Sequence, residues 1–234
     1  MKLLFSCWMM AFFSTGLMSQ PSAKDQAATA PPIDNGVTGI LSNRRTADGT
    51  IPFEPISAKR KLTIAALDSV DYPAYILPAF IAGFGQLSNK NPSFGQGLKG
   101  YGKRYGTAYG DQLIDYLVVE GVLPVLLHED PRYFRIGPTA GSTGYRLRYA
   151  ITRIFIAKTD RNTARFNFSE IGGTAVSTAI SNSYLPDQRN VHDNARRYGI
   201  SLATDALSNV IREFGPDINR KMKARKAARA ASRP

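Results

Sequence analysis

GQGLKGYGKRYGTAYGDQLIDYLVVEGVLPVLL, residues 95–127, decides how the rest of the chain is read. Gly102, Gly106 and Gly110 fall four apart, so on a helix they share one face. Tyr101, Tyr105 and Tyr109 repeat in the same register, one position earlier. The spacing predicts a helix with a glycine groove beside an aromatic ridge. Its apolar positions continue through Leu113, Leu117, Val118, Val122 and Leu126. A glycine costs about 1 kcal/mol against alanine inside a helix. Three in register therefore imply that another helix packs closely across that face. The competing reading is a Gly-rich loop leading into the helix. Asp115 and Glu120 interrupt the apolar stretch and would be expensive in lipid, so the helix does not read as a span exposed all round.

A second stripe of small residues, Gly173, Ser177 and Ser181, points to the same kind of packing. Asn167 is placed to cap that helix, with Glu170 three residues on. Residues 191–214 predict a further helix, stopped by Gly215-Pro216. Residues 59–87 start basic and turn apolar; the uncharged run from Tyr72 to Asn89 sits at the lower edge for a membrane span, and a buried or interfacial helix kinked at its prolines fits equally well. Residues 145–158 fit a helix better than a strand, although Tyr145-Arg-Leu-Arg-Tyr149 alternates. The fold class is thus mainly α: a helical bundle built on glycine and small-residue packing, associated with a membrane. The alternative is a small outer-membrane β-barrel, which needs many alternating segments of about ten residues. Few are found.

Outward from this core the chain changes character. Met1-Lys2 is a short positive start, followed by an apolar run from Leu3 to Met18 and a small polar exit near Ser19. Residues 1–20 read as a signal peptide, which places the protein in the periplasm or outer membrane. Cys7, the single cysteine, lies inside that segment. Too little apolar sequence precedes it for a lipoprotein signal. The processed chain then has no disulfide and no thiolate chemistry. Residues 21–58, rich in Pro, Ala, Gly and Ser, read as a disordered or extended linker. Residues 59–219 form the helical domain and residues 220–234 a basic tail. The formal charge of +12 suits anionic headgroups or envelope polymers as partners. No nucleic-acid-binding signature accompanies it. Arg220, Lys221, Lys223, Arg225 and Lys226 are the expected contacts to an anionic surface.

His128, Glu129 and Asp130 are the densest candidates for acid–base or metal chemistry. Adjacent positions point in different directions, however, and no H-E-x-x-H motif is present. The structural alternative is that Pro131 ends the helix, Asp130 forms a turn and the arginines pair with carboxylates. No nucleophile elbow, Walker A loop or dinucleotide fingerprint is found. No cofactor is expected.

Leu123-Pro124, the run His128-Glu-Asp-Pro-Arg-Tyr-Phe-Arg135, Phe166-Asn-Phe-Ser169, Ile180-Ser-Asn-Ser-Tyr184 and Glu213-Phe-Gly-Pro-Asp-Ile218 occur in that order. Together they resemble a family of uncharacterised exported proteins of soil-dwelling Gram-negative bacteria, over roughly residues 60–218. The resemblance implies an envelope location and one continuous domain, and carries no activity. The expectation is a non-enzymatic envelope protein with a structural or interaction role at a membrane, able to self-associate. The alternative is an exported hydrolase or metal-dependent enzyme centred on His128, Glu129 and Asp130.

Overall fold

A computed structural model describes residues 43–231 of the chain. The expected signal peptide, residues 21–42 of the expected linker and residues 232–234 of the tail lie outside them. In chain order the elements are β1 (Thr46–Asp48), α1 (Ala58–Ser69), α2 (Tyr72–Leu87) and α3 (Gly97–Asp115). A π-helical stretch (Tyr116–Val122) carries α3 directly into α4 (Leu123–Leu126). Then come β2 (Glu129–Asp130), β3 (Tyr133–Arg135), α5 (Thr143–Thr152), β4 (Ile156–Thr159), β5 (Ala164–Phe166), α6 (Phe168–Ser181) and α7 (Val191–Ala231). The fold is mainly helical. The strands are short, with β1 parallel to β3 and an antiparallel β2-β4-β5 sheet, and they close no barrel.

Side-chain caps start several of the helices. Ser57 Oγ accepts the Arg60 N–H at 3.2 Å at the head of α1, and Asp71 accepts from Tyr72 N at 2.8 Å before α2. Asn167 accepts from Glu170 N at 3.0 Å before α6, the predicted cap. Pro124 lacks the N–H that would continue the α pattern. The wider π turn just before it makes room for the ring against the residue four back.

Three expectations change. Residues 145–158 are neither one helix nor one strand: α5 ends at Thr152 and β4 begins at Ile156. Arg45, beside β1, pairs with the buried Glu120, so part of the expected linker belongs to the body. The helix predicted to stop at Gly215-Pro216 runs on through Pro216 to Ala231. Proline removes the donor that would reach the Arg212 carbonyl four residues back; the next carbonyl of that turn, Glu213, is met from outside the helix. Arg135 Nε donates to it at 2.9 Å and Arg146 Nη2 at 3.0 Å.

The interior is unusual in composition. Among the described residues, Gly and Pro aside, buried side chains are more often polar or charged than apolar. Many large apolar side chains stand outside.

Candidate functional site

The small-residue stripes behave differently from one another. On α6, an added Cβ at Gly173 would sit 2.8 Å from Val119 Cγ2 and 3.3 Å from Val119 Cα. That glycine, with Gly121 of the π stretch against Ala65 at 3.0 Å, is where helices approach closely. Next along the α6 stripe, Ser177 Oγ donates to Asp115 at 2.8 Å and Ser181 Oγ donates to Asp111. On α3, nothing lies within 4 Å of a Cβ built at Gly102, Gly106 or Gly110. The expected helix across that groove is therefore not supplied by the described residues. Helix arithmetic gives the reason: Arg104 lies two residues, about 200°, from both Gly102 and Gly106. Arg104 is buried because Lys90 O, Asn91 O, Gly95 O and the Gln86 amide oxygen all accept from it. Its partners turn the opposite face of α3 inward.

The run from His128 to Asp130 does not bring its three side chains together. His128 sits at φ +54°, is 83% exposed, and comes no nearer to a carboxylate than 3.8 Å from Asp160. Glu129 turns the other way. Its carboxylate accepts Ser169 N at 2.9 Å and Phe168 N at 3.3 Å, satisfying the start of α6, and pairs with Arg165. Asp130 accepts from the Arg132 backbone N–H at 3.0 Å and from its guanidinium. Both acids are bound into the structure and pair with arginines, but the helix ends at Leu126, not at Pro131. Among the described residues no group of three His, Cys, Asp or Glu side chains is placed to hold a metal ion.

The same run contributes to a second network. Glu213 of α7 is buried and accepts four hydrogen bonds: from Tyr133 Oη at 2.9 Å, Ile136 N at 3.2 Å, Gly137 N at 3.0 Å and Arg146 Nε at 2.8 Å. One turn on, Asp217 binds Arg135 and Arg146, each at 2.6 Å. Burial and the neighbouring Glu213 carboxylate push the Tyr133 hydroxyl well above its ordinary range. Separated motifs noted in the sequence thus meet, residues 133–135 with 213–217 and Glu129 with residues 168–169, while Tyr184 reaches Asp111 of α3.

Among the described residues, an opening of about 190 Å³ lies between α2, α3, α6 and α7. Apolar walls from Leu77, Ile81 and Ile200 face Asp111, Asp115 and Asp205. Burial, with a neighbouring carboxylate in each case, raises the pKa of Asp115 and Asp205. Asp205 shares a hydrogen bond with Glu170, which burial pushes up to about 7 despite Arg45 nearby. Sequence reading marked Asp115 as an anomaly but missed Asp111 and Asp205. The signal for the first lay in the match between Asp111/Asp115 on one helix and Ser177/Ser181 on another, each pair four apart.

The basic tail continues α7 as exposed helix. Arg220, Lys221, Lys223, Arg225 and Lys226 are all solvent-facing. Comparison with protein families, curated proteins and solved structures finds no match to the chain.

Proposed function

We propose that this is a non-enzymatic, exported component of the bacterial envelope that docks on an anionic membrane surface through the outer face of α2 and the basic end of α7. The polarity of α2 carries the reading. Small residues, Ala74, Pro78, Ala82 and Gly85, face inward. Large apolar ones face out: Phe80 is 73% exposed, Phe84 72% and Leu87 89%, with Leu77 and Ile81 between them. A helix that buries its small side chains and exposes its large apolar ones is built for an apolar neighbour. At 16 residues it extends about 24 Å, less than the roughly 30 Å of a hydrocarbon core. It therefore suits the interface rather than a crossing. No single helix among the described residues is long and apolar enough to cross a membrane.

Charge supports the same reading. The +12 chain ends in a helix with five exposed Lys or Arg side chains between Arg220 and Lys226. Each basic residue near an anionic leaflet contributes about 1 kcal/mol. The residues 1–20 reading as a signal peptide provides the route.

Flotation of the purified protein with vesicles tests this. Binding to phosphatidylglycerol-containing vesicles and little to phosphatidylcholine is the expected result. Phe80→Asp with Phe84→Asp should abolish binding at any salt concentration. Replacing Lys221, Lys223, Arg225 and Lys226 by Gln should weaken it chiefly at low salt. Wild-type behaviour from the double Asp variant removes the reading. If that variant instead converts a dimer to a monomer, a second copy of the chain covers this face.

A further inference from the structure

A smaller pocket, about 40 Å³, lies away from that face, where the end of α5, β4 and the start of α6 meet. Most charges around it are paired: Arg45 with Glu120, Arg132 with Asp130 and Glu129 with Arg165. Glu170 also lines it, buried, with Oε1 unpartnered, and burial raises its pKa to about 7. Two cations are left. The Arg153 guanidinium, with its five N–H donors, makes no hydrogen bond or ion pair among the described residues; it stands 5.5 Å over the Tyr149 ring. Lys158 Nζ bonds only the Asn162 amide oxygen, at 3.0 Å, and lies 4.3 Å from the Phe134 ring centre. Asp130 is the acid facing Lys158, and Arg132 holds it bidentate. Ser169, which also lines the pocket, is 3% exposed, and its Oγ has no hydrogen-bond partner. Leaving a buried hydroxyl and a half-buried guanidinium unmatched is unfavourable. Burial depresses the basicity of both cations, and for Lys158 Arg153 adds to it. An arriving anion would relieve both effects.

We propose that Arg153, Lys158 and Ser169 form a binding site for a single phosphate group. The guanidinium fork and the ammonium point charge suit a tetrahedral oxyanion, and Ser169 Oγ supplies a hydroxyl donor. A buried water needs roughly 10–15 Å³. The pocket therefore holds about three waters, or one compact oxyanion, and not a polyanion. The phosphate can be inorganic or the monoester headgroup of a lipid such as phosphatidate. The site stands independently of the docking reading.

Calorimetric titration of inorganic phosphate into the protein, without membranes, is the test. One saturable site is expected. Arg153→Gln and Lys158→Gln should each weaken it about tenfold or more, the loss of one charge-assisted bond. Ser169→Ala should weaken it less, and Arg153→Lys should retain part of the affinity while showing that the fold survives. No saturable binding, or binding that the variants leave unchanged, overturns the site. Vesicles then identify the source. Preference for phosphatidate over phosphatidylglycerol, lost in Arg153→Gln, makes the lipid headgroup the ligand. Phosphate binding without that preference makes it free phosphate.

Discussion

Glu213 shows what one residue does here. Four donors converge on a carboxylate that has no access to water. Glu213→Ala leaves the Tyr133 hydroxyl and the Ile136 and Gly137 N–H groups without their acceptor and takes one of two carboxylates from Arg146, which keeps Asp217; breaking such a buried network costs about 3–5 kcal/mol. The loss should appear as a lower urea midpoint, with Glu213→Gln in between. Glu170 and Asp205 make a prediction of opposite sign. Burial raises both above their ordinary values, Glu170 to about 7. The folded protein thus holds a proton that the unfolded chain gives up near pH 4. This stabilisation is complete below about pH 4 and is lost as pH rises through 7. Thermal midpoints should fall between pH 5 and pH 8, and Asp205→Asn should flatten that fall. At this scale the sequence was legible only in part. His128, Glu129 and Asp130 stood out as a cluster; Asp130 turns to Arg132, two residues on, but His128 and Glu129 have their partners 30 to 40 residues away, Asp160, Arg165 and Ser169. Local spacing cannot carry that information.

Elements were easier to foresee than the faces they present. Small-residue spacing located α3 and α6, and Asn167 located the start of α6. Which face of α3 turns inward was decided by Arg104, whose four acceptors include the loop carbonyls of Lys90, Asn91 and Gly95, invisible to periodicity. The two stripes can be told apart by experiment. Gly106→Ala, on the open face, should stabilise the protein by about 1 kcal/mol through helix propensity. Gly173→Ala should destabilise it by about 1–3 kcal/mol, because the added Cβ would meet Val119 Cγ2 at 2.8 Å and the Val119 backbone at 3.3 Å. Equal effects from the two substitutions would mean that both faces are packed. The end of α7 was misplaced for a related reason. A Gly-Pro stop holds for a helix left to itself, and this one is supported from Arg135 and Arg146.

For the molecule as a whole, polarity runs inward. Carboxylates and arginines fill the interior, while Phe80, Phe84 and Leu87 stand outside. Folding and surface association should therefore be separable. Solvent-facing substitutions usually change stability by no more than about 0.5 kcal/mol. Phe80→Asp with Phe84→Asp should accordingly keep the wild-type melting profile while losing vesicle binding. A variant that loses both would mean that these rings belong to the core.

The 41-residue α7 measures about 60 Å, and its proline sits between two anchored acids, Glu213 before it and Asp217 after it. A proline of this kind is ordinarily a swivel. Here the same two arginines grip both sides of it, so the swivel is bolted from elsewhere in the chain. The heading of the cationic end is consequently set by Arg135 and Arg146, far from it in sequence. Loosening either one would free the charges to swing without altering any of them.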